Sequence, residues 1–246
     1  MGVAIIVGAM LLGLAPSAQA SFIITNASRG VDAYASANGQ LVDPLLVDNS
    51  DLGGEFNPTL LAKAPSTGNV ISQSKGALIS DLSLSQISGD GNAQLTWFDG
   101  ALGGVPNYGS GWAESFFDVF FSVTDNAVAW VVLGTNYQTA TPGYSPVTSH
   151  DEEAKLQKLV GGDWIDIPIP ASNYVTLWAG TEYRVTAYAT STVNVPNGQS
   201  SPPMGGTASY SVLVQETSIP VPEPASAGIL GLGLLGVLLR RKIMGC

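Results

Sequence analysis

The sequence predicts an all-β protein, specifically an antiparallel β-sandwich with Greek-key or jelly-roll-like connections. Three observations predict it. Apolar and polar residues alternate over many short segments, clusters of Gly, Pro, Asn and Asp separate these segments, and the central region keeps no 3.6-residue apolar period over helical length. Alternation with period two indicates strands with one buried face, and many short strands are typical of sandwiches. A barrel is the alternative architecture.

The N-terminus predicts export. An apolar run from Val3 to Leu14 precedes the small residues Ala18 and Ala20, a pattern typical of a helical secretory signal peptide cleaved before Ser21. No Lys or Arg precedes the run, which departs from that pattern. The predicted organisation is a signal peptide at 1–20, a β-sandwich domain at 21–218 and a sorting tail at 219–246.

The first half of the domain predicts short strands and one long loop. Phe22–Thr25 and Val31–Ala37 are extended candidates, whereas residues 41–68 contain prolines and many Asp, Asn and Gly residues and predict a surface loop. Two alternating segments then flank Gly89-Asp90-Gly91. We predict a β-hairpin with its turn at these three residues.

The second half predicts the core. Phe117, Val119, Phe121 and Val123 fall on one face of a strand, and residues 128–133 are apolar on both faces, which predicts a central strand. Gly161-Gly162 lies between two further strand candidates and predicts a tight hairpin.

A tyrosine corner is predicted next. Leu177, Gly180 and Tyr183 have the Leu-x-x-Gly-x-x-Tyr spacing, in which the Tyr hydroxyl bonds to the backbone a few residues upstream. The alternating residues after Tyr183 and those from Ala208 to Val214 predict the last strands.

Charge and cysteine content exclude several functions. The chain has a formal charge of −10, and residues 21–222 hold six Lys or Arg against eighteen Asp or Glu, a net −12. Such a surface repels nucleic acid and anionic lipid, so we expect no nucleic-acid partner. The single cysteine, Cys246, lies in the tail, so the domain has no disulfide, thiol nucleophile or cysteine-based zinc site.

Two polar clusters are candidate sites. Asp43, Asp48, Asp51 and Glu55 offer hard oxygen ligands beside a Gly-Gly pair, which suits calcium, although their spacing is not that of an EF-hand loop. The alternative is a solvated acidic loop, with no metal and no cofactor. The only histidine, His150, is predicted to be a solvated loop residue, and no sequence pattern marks a serine nucleophile near it.

Aromatic residues near a glycine-rich loop are candidate sugar contacts. Trp97, Tyr108 and Trp112 lie in or beside the loop of residues 100–111, and aromatic faces can stack on sugar rings. The alternative is that Trp97 lies on a core face of its strand and that the loop aromatics cap the end of the sandwich.

The C-terminal tail combines three elements in a fixed order. A Pro-Glu-Pro block is followed by an apolar run up to Leu239 and then a basic cluster. The fifteen residues from Ala225 to Leu239 predict a transmembrane helix of about 22 Å, short of the roughly 30 Å hydrocarbon core. The block and the basic cluster are Val221, Pro222, Glu223, Pro224, Ala225, Ser226, Arg240, Arg241 and Lys242.

The tail resembles a PEP-CTERM sorting signal. The resemblance implies recognition and processing by the membrane protease-transpeptidase exosortase, transient insertion in the inner membrane, and a Gram-negative bacterium that makes exopolysaccharide. Signal peptidase would process the other end, and exopolysaccharide would be a neighbour outside the cell. The tail would then be a temporary holding device and the domain would remain outside the cell.

Together these observations predict an exported structural or interaction protein of the extracellular matrix, without catalytic activity. A carbohydrate- or calcium-binding module is the first alternative. An enzyme acting on matrix polysaccharide is the second, and it would need two carboxylates in a cleft.

Overall fold

Strands form throughout the part of the chain that the structure describes. A computed structural model describes residues 20–37, 39–64, 70–99, 108–139, 148–195 and 204–217, and within these ranges it contains no helix. No membrane-spanning helix is therefore found among them. The predicted signal helix and C-terminal transmembrane helix lie outside these ranges. The strands are β1 Phe22–Ala37, β2 Gln40–Asn49, β3 Gly54–Phe56, β4 Thr59–Lys63, β5 Val70–Leu82, β6 Gln86–Asp99, β7 Gly109–Val123, β8 Ala127–Thr139, β9 Thr148–Val160, β10 Asp163–Asp166, β11 Tyr174–Leu177, β12 Tyr183–Val195 and β13 Met204–Glu216.

The strands pair into two antiparallel sheets. The six-stranded sheet has the order β10-β9-β12-β7-β1-β2, and the seven-stranded sheet has the order β11-β8-β13-β6-β5-β3 with β4 also paired to β5. The two sheets contact each other along their faces and share one buried apolar cluster. The all-β antiparallel prediction is confirmed, and the stacking agrees with a sandwich.

The alternation of buried and half-buried residues along the strands shows which face of each strand lies in the core. Every second residue of β7, including Phe117, Val119 and Phe121, is fully buried, while the residues between them are half-buried on the outer face. β12 pairs with β7 and alternates in the same way from Tyr183 to Val195. The period-two pattern therefore assigned both faces of these two strands correctly.

The tyrosine corner and the Gly-Gly hairpin are confirmed. The Tyr183 hydroxyl accepts a 2.7 Å hydrogen bond from the Trp178 backbone N–H, across a turn in which Gly180 has φ +77°. Gly161 and Gly162 both have positive φ and join β9 to β10. Two consecutive positive φ values are what a two-residue hairpin turn requires.

The size of the buried side chains changes along the length of the strands. The chain enters β1 and leaves β13 at one end of the two sheets, which we call the terminal end, and the opposite end is the distal end. Large buried side chains fill the terminal end, among them Phe22, Phe121 and Tyr183. Small buried residues dominate the distal end. They include Ala33, Ala35, Ala37, Ser72, Ser74, Ala93, Ala113, Ser115, Ala189 and Ser191.

The predicted turn at Gly89-Asp90-Gly91 is wrong. β6 runs without interruption through these residues, and the turn lies at residues 83–85. A Cβ on Gly89 would lie 2.7 Å from the Phe117 ring, and one on Gly91 would lie 2.2 Å from the Tyr210 ring. Both positions therefore require glycine because the Phe117 and Tyr210 rings occupy the space that a side chain would need. Neither glycine has a positive φ.

The predicted long loop of residues 41–68 is also wrong, because β2, β3 and β4 lie within it. Pro44 is accommodated because β2 is an edge strand whose register shifts opposite Ala33 and Ala35. Proline lacks the N–H that a central strand must donate, but an edge or a bulge tolerates it.

The prediction that residues 128–133 form a central strand is correct only for the first part of this segment. β8 has β13 on one side, while on the other side β11 pairs only with residues Ala127 to Trp130. The burial of β8 alternates as far as Val131, and Trp130 is 43% exposed. Most of β8 is therefore at a sheet edge.

Candidate functional site

The two ends of the domain lie side by side. The Phe22 backbone N–H donates to the Leu84 carbonyl at 2.7 Å, and the Glu216 N–H donates to the Ser85 carbonyl at 3.0 Å. Leu84 and Ser85 belong to one turn, so the start of β1 and the end of β13 are fastened to neighbouring residues. The predicted signal peptide and the tail are consequently attached at the same end of the domain.

The predicted signal cleavage site lies at the edge of the described structure. Ala18 is outside the described residues, Ala20 is buried, and the Ser21 nitrogen donates to the Thr124 hydroxyl at 2.9 Å. Because β1 begins at Phe22, cleavage before Ser21 would leave every strand intact. The cleavage itself stays a prediction.

The three predicted sugar contacts do not share one strand or one sheet. Trp112 lies half-buried on the outer face of β7, 6.4 Å from the Tyr34 ring, and Tyr108 precedes β7 with 38% of its surface exposed. Trp97 belongs to the other sheet, where its backbone pairs with Ser72 and Met204. Its side chain is outside the described part, and sugar contact at these residues stays a prediction.

The acidic segment proposed for calcium is organised around a buried arginine. Arg29 is fully buried and donates to the carbonyl oxygens of Asp51 at 3.1 Å and Gly54 at 3.0 Å. Burial lowers the pKa of Arg29, and the charges of Asp51 and Asp81 oppose that shift. A guanidinium therefore already binds the carbonyl oxygens that a cation would seek in this segment.

The four predicted calcium ligands do not gather into a metal site among the described side chains. Asp48, Asp51 and Glu55 are exposed, and no group of three His, Cys, Asp or Glu side chains in the described part could hold a metal ion. Asp43 lies in β2 with its side chain outside that part. Calcium binding stays a prediction, and the geometry described here does not favour it.

A pair of carboxylates lies on the outer face of the six-stranded sheet. Asp32 and Glu114 are directly opposite each other on β1 and β7, and both are half-buried. Burial raises the pKa of Asp32, and burial followed by the charge of Asp32 raises that of Glu114. Like charges directly across a sheet are destabilising. The pair lies on the open face of a sheet, whereas a glycosidase places its two acids in a cleft.

His150 is not the solvated loop residue that was predicted. It lies in β9, half-buried, with its ring over Gly206 of the opposite sheet, where a Cβ would come within 2.1 Å of the imidazole. Its Nδ1 lies 3.0 Å from the Ser191 hydroxyl, which itself donates to the Ala93 carbonyl at 2.9 Å. Because the Ser191 proton is directed at Ala93, Nδ1 is the donor in the His150–Ser191 bond.

His150 and Ser191 are cross-strand partners within the six-stranded sheet, and the Ser191 hydroxyl links them to Ala93 of the other sheet. Ser191 is fully buried and its proton is committed to a backbone carbonyl, so the imidazole has no serine proton to accept, as a nucleophilic mechanism requires. Burial lowers the pKa of His150, and the charge of Glu152 opposes that shift. Burial therefore favours the neutral form of the histidine.

Comparison with known proteins identifies the tail and gives no match for the domain. Residues 220–242 match the family model of the PEP-CTERM protein-sorting motif. A search of curated proteins and a search of solved structures each found no match. The chain thus carries a PEP-CTERM sorting motif in its tail, and this motif indicates a surface or extracellular protein processed by exosortase.

Sequence reasoning missed the buried Arg29, the Asp32–Glu114 pair and the His150–Ser191 contact. Each depends on strand register or on contact between sheets, and residues far apart in the chain meet there. One sequence signal could have drawn attention to Arg29, because it is the only cation among the first 60 residues. Nothing in the local sequence distinguishes Ser191 from the other serines near it.

Proposed function

We propose that this protein is exported by a Gram-negative bacterium, sorted to the cell surface, processed at its tail by exosortase, and retained as a structural or interaction protein of the extracellular matrix. The observation that carries the proposal is the sorting motif at residues 220–242. Signal peptidase and exosortase would be its processing enzymes. The domain between the two processing sites would be the part of the protein that functions outside the cell.

The length of the tail supports a temporary anchor. β13 ends at Glu216 and the apolar run begins at Ala225, and eight residues between them span at most about 28 Å. The domain would therefore stay close to the membrane surface while the tail is inserted. The short apolar run and the basic cluster are suited to a segment that is held briefly and then removed.

A binding role is favoured over catalysis by the described side chains. Asp118 is held by a two-pronged ion pair with Arg184, at 2.7 and 2.9 Å. Asp32 and Glu114 are half-buried on the outer face of a sheet rather than in a cleft, and Ser191 is buried. We therefore propose that the domain acts by non-covalent contact and that it is not an enzyme.

Fractionation of producing cells tests the sorting proposal. In the wild type we expect a shortened protein in the extracellular matrix fraction. A variant with Pro222, Glu223 and Pro224 replaced by alanine should stay at full length in the membrane fraction. Ser218→Ala, just outside the motif, is the matched control and should behave as the wild type.

Two outcomes would overturn the proposal. Equal processing of the triple alanine variant would remove the role of the Pro-Glu-Pro block. Recovery of the wild-type protein only as free monomer in the medium would remove the role in the matrix.

A further inference from the structure

A groove crosses the outer face of the seven-stranded sheet. It is open to solvent, has a volume of about 540 Å³ and spans β5, β6, β13 and β8. Two rows of directly paired residues line it. The first row is Ala77, Asn92, Ser209 and Asn136, and the second row is Ile79, Asp90, Ser211 and Gly134. We call this feature the cross-strand groove. Its volume lies in the range of small-ligand sites.

Gly134 keeps one end of the cross-strand groove open. A Cβ placed on Gly134 would meet nothing within 4 Å, and its φ is not in the left-handed region. Neither backbone strain nor close packing therefore requires glycine at this position. Gly91 differs, because it lies on the buried face of β6 and a Cβ there would clash with the Tyr210 ring.

The polar groups of the groove suit a neutral, hydroxyl-rich ligand. Asn92 and Asn136 each offer an amide that can donate and accept, and within the described residues no hydrogen bond engages either side chain. The lining contains no cation and a single carboxylate, Asp90, in a chain whose formal charge is −10. An anionic ligand would find no partner charge there.

The groove also offers apolar carbon. Ile79 is 65% exposed although it lies in the middle of β5, and Ala77 is beside it in the same groove. A sugar ring presents C–H groups on its faces and hydroxyl groups at its edge, so it needs both kinds of contact in one place. Three strand spacings of about 4.8 Å give the groove a length of about 14 Å, which is longer than a single sugar ring.

We propose that the cross-strand groove binds a neutral polysaccharide chain laid across the four strands. Ile79 and Ala77 would contact the ring faces, and Asn92 and Asn136 would hydrogen-bond the hydroxyl groups. This proposal rests on the proposed function of the domain as an interaction protein and names its partner class. It involves a different surface from the aromatic residues Trp97, Tyr108 and Trp112.

Affinity electrophoresis of the exported protein tests the proposal. Native gels would contain one of three neutral polysaccharides (a β-glucan, a galactomannan or dextran) or the anionic polysaccharide alginate. We expect retardation in at least one neutral gel and none in alginate. Wild-type protein that is unretarded in all three neutral gels, or retarded only by alginate, overturns the proposal.

Two kinds of variant locate the binding. Gly134→Phe fills the groove without a clash at Cβ and should abolish retardation, whereas Gly53→Phe adds the same group in a loop at the terminal end and should not. Asn92→Asp and Asn136→Asp keep the side-chain shape, remove donors and add charge, and each should weaken binding at least about tenfold. Thermal unfolding of each variant checks that the domain remains folded.

The remaining outcomes are also decisive. Retardation of Gly134→Phe equal to that of the wild type overturns the groove assignment. If sedimentation shows that Gly134→Phe abolishes self-association and leaves sugar binding unchanged, the groove is an interface between copies of the chain and the proposal is wrong. Tail processing of Gly134→Phe should be normal, so the binding proposal can fail while the proposed sorting stands.

Discussion

The space between the two sheets is filled differently at the terminal and distal ends of the domain. At the terminal end, aromatic rings fill the space between the sheets: Phe121 lies 5.3 Å from the Phe22 ring and 5.4 Å from the Tyr183 ring. At the distal end the backbones approach closely, and a Cβ on Gly76 would lie 2.8 Å from the Glu114 carbonyl of the other sheet. The first end depends on large side chains and the second on their absence.

This difference predicts opposite sensitivities. Removing volume should damage the terminal end, because the rings there leave a cavity when they are truncated. Adding volume should damage the distal half and the centre, where inward-facing glycines touch the opposite sheet. The start of β1 and the end of β13 both lie at the aromatic end, so this is the end next to the predicted processing sites.

The largest expected effect is at the terminal end. Phe121→Ala removes a fully buried ring that contacts two other rings and should lower the free energy of unfolding by about 3–5 kcal/mol. Urea denaturation of the exported protein measures this change. A loss below about 1 kcal/mol would show that the aromatic cluster does not hold the two sheets together.

The next largest effect on the unfolding free energy is expected at a glycine whose position has no room for a side chain. Gly91→Ala places a Cβ 2.2 Å from the Tyr210 ring and should cost about 1–3 kcal/mol. Gly134→Ala is the control, because its Cβ meets nothing, and it should be neutral or slightly stabilising. Similar unfolding free energies for the two variants would contradict the packing argument.

A smaller effect is expected at the tyrosine corner. Tyr183→Phe keeps the buried ring and removes the hydroxyl that accepts from the Trp178 N–H. The expected loss is about 1 kcal/mol, measured as a shift in the urea midpoint. Because the ring remains, a loss as large as that of Phe121→Ala would mean that the hydroxyl has a further partner.

The smallest effect is a pH-dependent gain. Burial and the charge of Asp32 raise the pKa of Glu114, so the charged form is disfavoured in the folded state, and stability is lost as the pH rises through the folded pKa. Glu114→Gln should therefore raise the unfolding free energy by about 0.2–1 kcal/mol at pH 7. The gain should vanish below roughly pH 4, where Glu is protonated in both states.

The control for this variant is Glu55→Gln, which removes one negative charge from an exposed position. Thermal unfolding across pH 3 to 8 distinguishes the two, and an equal gain in both variants would assign the effect to net charge alone.

The sequence predicted those parts of the fold that depend on local pattern. The alternation around Phe117, the Gly161-Gly162 hairpin and the tyrosine corner at Tyr183 are each specified by residues within one or two neighbouring strands. The PEP-CTERM motif is likewise a local pattern. These features could be assigned without knowing which strands pair.

The rest depended on contacts between distant residues. Gly89 and Gly91 look like turn residues because a turn and a close approach both favour glycine, and only the positions of Phe117 and Tyr210 decide between them. The cross-strand groove is formed by four strands whose order is not evident from the chain. Pro44 suggested a loop because the edge position of β2 could not be foreseen.

The central claim is that this protein is exported and loses both ends, leaving the two-sheet domain outside the cell. Intact mass spectrometry of the protein recovered from the cell exterior tests it most directly. We expect a chain that begins at Ser21 and lacks the apolar run and basic cluster of the tail. An intact mass that ends at Cys246 would contradict it.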